Sequence, residues 1–238
     1  MHANIMAFGL DRAVEGTSSA DFELMEAGQV CIIDDDEGVR ASLSSLLRAS
    51  GYTVQTCRAP EQFRAEDLGA MPSCLVLDVQ MPGESGLDFQ ERLCASGFAV
   101  PVIFITGHGD IPMTVRGMRA GAVDFLPKPF TENDLLEAVG RALDVDRERL
   151  RREAIVNDLQ SRHDALTPRE KEVMALVITG LMNKQVAGHL DLSEITVKIH
   201  RGNVMRKMGA QSLADLVRMA ESLGIRDTSI HRFGPKGG

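Results

Sequence analysis

The chain has 238 residues, 44% of them hydrophobic and 25% charged, with a formal net charge of −8. This is ordinary globular composition and leaves room for two modest domains. No apolar run approaches the roughly 20 residues needed to cross a bilayer, and the start of the chain lacks a basic segment followed by an apolar one. Neither a membrane span nor a secretory signal is therefore expected, and the expected location is the cytoplasm.

The charge is unevenly spread. Residues 29–144 hold 17 acidic and 9 basic side chains, whereas residues 164–238 hold 8 acidic and 11 basic ones. An acidic half thus precedes a mildly basic one suited to nucleic acid. Cys31, Cys57, Cys74 and Cys94 stand far apart with no CxxC pair, and the reading is of small buried apolar residues, neither metal ligands nor disulfides.

In chain order, residues 1–28 read as an unstructured extension. From Gln29 onward short apolar runs alternate with helix-like segments: "VCIID" (30–34), "TVQTC" (53–57), "CLVLD" (74–78), "PVIFIT" (101–106) and "VDFLPK" (123–128) read as strands. In "GVRASLSSLLRASG", Val39, Leu43, Leu46 and Leu47 recur at helical spacing and Gly51 stands where the helix would stop. Five repeats of strand then helix imply a doubly wound, five-stranded parallel sheet over residues 29–143. Residues 144–163, rich in Arg and Glu, read as a helical linker. Residues 164–225 read as four short helices, and 226–238 as an unstructured tail. In "TPRE", Thr167 is an expected N-cap, Pro168 the first helical residue and Glu170 its reciprocal partner. Asn183 and Ser193 are the expected caps of the next two helices.

A doubly wound sheet binds ligands beyond the carboxyl ends of its strands. Asp34, Asp35 and Asp36 follow the first strand, Asp78 ends the third, Thr106 the fourth and Lys128 the fifth, so all fall on one rim. Carboxylates gathered in this way repel one another until a hard divalent cation such as Mg²⁺ joins them. The cation and Lys128 then make a phosphoryl site, with Thr106 as a small hydroxyl donor and one carboxylate as a possible nucleophile. His108, beside the rim, reads as an ordinary loop histidine.

The runs "IIDDDEGVR", "LVLDVQMPGESG", "FITGHGDIPM" and "DFLPKPF", in this order and at these spacings, resemble the receiver domain of bacterial response regulators. The resemblance implies a flavodoxin-like fold with Asp78 as phosphoacceptor. It implies Asp34 and Asp35 as the acidic pair holding Mg²⁺, the Gln80 backbone carbonyl as a further ligand, and Lys128 as the phosphoryl contact. It also implies a cis Lys128–Pro129 bond and a switch pair of Thr106 and Phe125. Asp36 is given no ligand role. A haloacid-dehalogenase-type phosphatase would need an acid two residues past the nucleophile, where Gln80 stands, and no GxxxxGK[ST] run is present. The chain is therefore expected not to be an enzyme, beyond catalysing its own phosphoryl transfer and loss.

The run "LTPREKEVMALVITGLMNKQVAGHLDLSEITVKIHRGNVMRKMGA" resembles the LuxR-type helix-turn-helix of NarL/FixJ response regulators, and "TGHGDIPM" with "HRGNVM" leans toward the FixJ branch. At about 100° per residue, Val197, Val204 and Met208 of the third helix share a core face with His200 at its margin. Lys198, Ile199, Gly202 and Arg206 occupy the opposite face and are the candidates for the major groove. Thr196, Arg201, Lys207 and, one helix earlier, Lys184 suit phosphate contacts. Family members often carry a long polar residue where Gly202 stands. Leu213, Leu216, Val217 and Ala220 make a mostly core stripe on the last helix.

The resulting expectation is a two-component transcription factor. A partner histidine kinase phosphorylates Asp78, the receiver dimerises through the helix after its fourth strand, its fifth strand and the helix that follows, and the dimer binds promoter DNA. The alternative is a DNA-binding regulator whose receiver no longer signals, against which the intact set Asp34, Asp35, Asp78, Thr106 and Lys128 stands. A regulator sensing a small molecule would have no need of the acidic rim.

Overall fold

The computed structural model describes residues 28–68, 71–107 and 111–225. Most of the N-terminal extension, His108 and the tail lie outside them. The chain divides into two compact units, Met1–Leu150 and Arg151–Gly238.

The first unit is built on five parallel strands, β1 (Gln29–Ile33), β2 (Thr53–Cys57), β3 (Ser73–Asp78), β4 (Val102–Thr106) and β5 (Asp124–Pro127), in the order β2-β1-β3-β4-β5. Its helices are α1 (Glu37–Ala49), α2 (Gly86–Ala95), α3 (Ile111–Arg119) and the long α4 (Glu132–Asp164), whose residues from Arg151 on belong to the second unit. Alternation along each strand sorts the core into two layers. Val30, Ile32, Cys74, Val76, Ile103 and Ile105 pack with Leu43 and Leu47 of α1 and Leu135 and Val139 of α4. Cys31, Ile33, Leu75, Leu77 and Phe104 pack with Leu87, Phe89 and Leu93 of α2. Helices on both faces explain why β1, β3 and β4 are buried along their whole length and apolar at nearly every position.

Among the described residues one expected helix is absent. Between β2 and β3 the described residues form two short 3₁₀ turns, Pro60–Gln62 and Ala65–Asp67. The large apolar groups of the segment, Phe63, Leu68 and Met71, are too few to make a helical stripe. Phe63 instead wedges edge-on against Phe89 and Phe98, with ring centroids 5.7 and 6.0 Å away.

The first unit also extends beyond residue 143, where the linker was expected to begin. Asp146 is fully buried; one carboxylate oxygen accepts from the Ser73 backbone N–H at 2.8 Å and the other from Arg149 at 2.7 Å. It supplies the acceptor for the buried backbone N–H that opens β3. Cys31 and Cys74 are buried as expected, burial and then Asp146 driving the Cys74 thiol pKa up, whereas Cys94 is exposed, a correction to its reading as a core residue.

The second unit contains α5 (Pro168–Val177), α6 (Asn183–Leu190), α7 (Glu194–Met208) and α8 (Leu213–Ser222) around Val173, Val177, Val186, Val197, Val204, Met208 and Leu216. The Thr167–Glu170 capping box forms as expected, and Ser193 caps α7. Asn183 is not a cap. Met182 holds that position without a side-chain acceptor, and Gln185 accepts from the Met182 N–H at 2.9 Å. The Asn183 side chain accepts instead from Arg201 of α7 at 3.1 Å.

Glu170 does double duty. Besides accepting from the Thr167 N–H at 2.9 Å, it pairs with Lys207 of α7 at 2.7 Å while almost fully buried. Lys207, and then the Thr167 N–H, hold its pKa down from 4.5 to about 2. A depressed carboxylate stabilises the fold above its unfolded pKa and loses that contribution as pH falls through the folded one. The Glu170 contribution is thus complete above pH 4.5 and lost toward about pH 2. NMR titration should place its midpoint near the lower value, and Lys207→Met should move it upward. Asp146→Ala, which leaves the buried Ser73 N–H without its acceptor, is expected to destabilise the first unit by about 1–3 kcal/mol in urea unfolding.

Candidate functional site

The sheet order makes β1 and β3 neighbours, so the residues leaving their carboxyl ends meet. Asp34, Asp35 and Asp78 present carboxylate oxygens that all lie within 4.8 Å of one another. Asp34 and Asp78 are buried and Asp35 is exposed. Lys128, at the end of β5, reaches between them, with its ammonium 3.1 Å from Asp34 Oδ2 and 3.7 Å from Asp78 Oδ1. The Lys128–Pro129 bond is cis, as expected. The Lys128 N–H donates to the Thr106 carbonyl at 2.7 Å, which seats the lysine beside the end of β4.

The three consecutive aspartates do different work. Asp34 Oδ1 accepts from the Asp36 N–H at 2.8 Å, and the Asp34 carbonyl accepts from Arg40 at 2.8 Å. Asp36 is the N-cap of α1, accepting from Gly38 N–H at 2.7 Å and Val39 N–H at 3.1 Å, and these bonds lower its pKa. Asp35 and Asp36 are both exposed, but Asp36 is engaged in the cap, which leaves Asp35 as the exposed carboxylate of the acidic cluster.

Asp78 is held under tension. Burial is the largest influence raising its pKa, opposed by Lys128 and reinforced by Asp34. Its Oδ1 is buried with no hydrogen-bond partner among the described residues. Hard oxygen donors, mutual repulsion and an orphaned buried carboxylate oxygen together fit a divalent cation such as Mg²⁺. The backbone here is tightly packed: a Cβ at Gly86 would lie 2.2 Å from the Asp78 carbonyl oxygen. Sequence reading missed Gly86, although a glycine opening α2 shortly after "LVLDVQMP" was its signal. Phe125 lies half-buried at 5.7 Å from Phe104, ring centre to ring centre, and Thr106 is fully buried.

In the second unit α7 is cleanly divided. Val197, Val204 and Met208 are buried, whereas Lys198, Ile199, Gly202 and Arg206 are exposed, and Lys184 of α6 is exposed too. Thr196 is half-buried, with its hydroxyl 2.8 Å from that of Ser193. Arg201 spends one N–H on Asn183 and has other donors in its fork. Lys207 is half-buried. Its ammonium is committed to buried Glu170 and to the Ala165 carbonyl at 3.2 Å, so a phosphate would have to compete with an established ion pair. Ile195, on the same outer stripe, was overlooked.

An acid-and-lysine rim on a doubly wound sheet, followed in the chain by a helix-turn-helix, defines a response regulator. Residues 30–140 match the response regulator receiver domain and residues 164–220 the bacterial regulatory proteins of the luxR family. The chain is 53% identical over 196 residues to nodulation protein W of Bradyrhizobium diazoefficiens, covering 82% of this chain and 86% of that protein. It is 39% identical to the transcriptional regulatory protein FixJ of the same organism, covering 83% and 97% of the two. Among solved structures, response regulator StyR superposes with a TM-score of 0.70 at 46% identity, over 82% of this chain and 98% of that one. The chain belongs to the NarL/FixJ family of response regulators, with a receiver domain and a LuxR-type DNA-binding domain.

Because Asp78 and Asp34 repel across a buried gap, Asp78→Asn is expected to raise the thermal midpoint of the metal-free first unit. Mg²⁺ should raise that midpoint in the wild-type chain and much less in the variant. Differential scanning calorimetry with and without Mg²⁺ reads both effects.

Proposed function

We propose that the chain is a two-component transcription factor, phosphorylated on Asp78 by a sensor histidine kinase and acting on promoter DNA in the cytoplasm. The observation that carries this reading is the convergence of Asp34, Asp35, Asp78 and Lys128, drawn from three strand ends, on one rim.

Asp34, Asp35 and Asp78, with the Gln80 backbone carbonyl, would hold Mg²⁺. When bound, the ion neutralises the acidic cluster and stabilises charge on phosphoryl oxygens. An Asp78 carboxylate oxygen attacks the phosphorus of a phosphohistidine; the phosphorus–nitrogen bond breaks and the imidazole leaves. Lys128 is placed to pair with a phosphoryl oxygen as it loses its hold on Asp78, and the Thr106 hydroxyl is the donor for a second one. Turning of Thr106 toward the phosphoryl group frees space for Phe125 to move inward. The outer face of α3, β5 and the start of α4 then favours a receiver dimer. Two copies of α7 delivered together gain affinity for a two-fold operator through effective concentration.

Beryllofluoride with Mg²⁺ stands in for the phosphoryl group on Asp78. Light scattering is expected to show monomers converting to dimers with it, and no conversion in Asp78→Asn. Conversion that is indifferent to Asp78, or DNA binding that ignores beryllofluoride, would instead indicate a receiver that no longer signals. Lys198→Ala and Arg206→Ala are each expected to weaken binding to duplex DNA. For either one that meets a phosphate, the magnitude of the log-affinity against log-salt slope should fall by about 1 per site.

A further inference from the structure

The outer stripe of α7 is not only basic. Ile195 and Ile199 are 74% and 59% exposed, and Ile195 is the most exposed large apolar side chain among the described residues. At about 100° per residue, Ile195, Ile199, Gly202 and Arg206 fall within about 60° of arc, directly opposite Val197, Val204 and Met208. Gly202 adds a second oddity. A Cβ there would meet nothing within 4 Å, so packing within the chain does not require a glycine. In a helix interior glycine is also less favourable than alanine. Exposed isoleucines and an unneeded glycine both burden the free chain. Both become useful once another surface closes on this stripe.

The charges around the stripe select the class of that surface. Exposed Lys198, Arg206 and Lys184 favour a polyanion. Duplex DNA presents apolar groups between its phosphate rails: the thymine C5 methyls of the major groove. Duplex RNA lacks those methyls, and its deep, narrow major groove does not admit side chains. Isoleucine has no hydrogen bond to offer a base edge, so at these two positions it discriminates only by apolar contact.

We propose that Ile195 and Ile199 read thymine methyl groups and that Gly202 lets the α7 backbone settle close against the base edges. The operator then carries thymines beneath the first half of α7, with Lys198 beside the stripe and Arg206 further along it. This rests on the DNA-binding reading above and goes further by naming what the helix recognises.

The test begins by selecting preferred duplexes from a random pool with the full chain, beryllofluoride and Mg²⁺. Thymines in each enriched half-site are then replaced singly by deoxyuracil, which removes only the methyl. At one or two positions the wild-type chain is expected to lose about three- to fivefold in affinity, as for one buried methyl group. Ile199→Ala or Ile195→Ala should bind the thymine duplex more weakly and be indifferent to deoxyuracil at the matching position, with an unchanged salt slope. Gly202→Ala should move two readouts in opposite directions: the thermal midpoint of the second unit rises while operator affinity falls.

An enriched operator at which deoxyuracil costs nothing, or isoleucine variants that lose equally on both duplexes, would overturn the inference and leave the DNA-binding reading intact. Gly202→Ala that binds as well as the wild-type chain would overturn the close approach of the backbone. Failure to bind any duplex would sink the DNA-binding reading and this inference together.

Discussion

The rim of the first unit depends on one shared cation. The Lys128 ammonium is the positive charge between Asp34 at 3.1 Å and Asp78 at 3.7 Å, and it cannot satisfy both. It hydrogen-bonds Asp34 and leaves Asp78 Oδ1 buried without a partner. A carboxylate in that condition costs stability, and the cost falls where a metal and a phosphoryl group would relieve it. The surroundings keep the tension from relaxing. Gly86 allows the chain to press against the Asp78 carbonyl, and the Thr106 carbonyl anchors the Lys128 backbone.

The same economy runs through the "DDD" segment. Asp36 is consumed in capping α1, and its own N–H fixes Asp34 Oδ1. Capping the helix therefore orients the buried carboxylate, and Asp35 is left as the exposed carboxylate of the acidic cluster. Packing and site share one short loop, so damage to the α1 cap would also disturb the acidic cluster. Asp146 plays a comparable structural part at the opposite end of β3, accepting from the Ser73 N–H through a residue that reads, in sequence, as part of a linker.

In the second unit the constraint is the division of α7 into an apolar face that holds the unit together and an outer face left open. Lys207 and Arg201 tie α7 to its neighbours through Glu170 and Asn183. They fix how the outer face is presented. Two basic residues that composition alone would count toward DNA thus act partly or wholly within the fold, and the outer face is left with a smaller set of charges beside two isoleucines.

Much of this protein was legible in its sequence because the signals are local and periodic. Strands buried on both faces are apolar at nearly every position, so β1, β3 and β4 stood out. Helix N-caps need oxygen-bearing side chains at fixed offsets, so Thr167 and Ser193 could be read directly. Chemistry at strand ends follows from the parallel topology, which put Asp34, Asp78, Thr106 and Lys128 on one rim before any distance was known. The missing helix between β2 and β3, the true cap at Met182 and the commitment of Lys207 to Glu170 were not legible. Each depends on a partner distant in sequence: Phe63 on Phe89, Asn183 on Arg201, Lys207 on a carboxylate 37 residues earlier. The sequence by itself determined which residues could form elements and carry charge. Only the tertiary structure decided which charges were neutralised inside the fold and which remained for a ligand, because pairing energy depends on distance and burial, and neither is encoded by spacing along the chain.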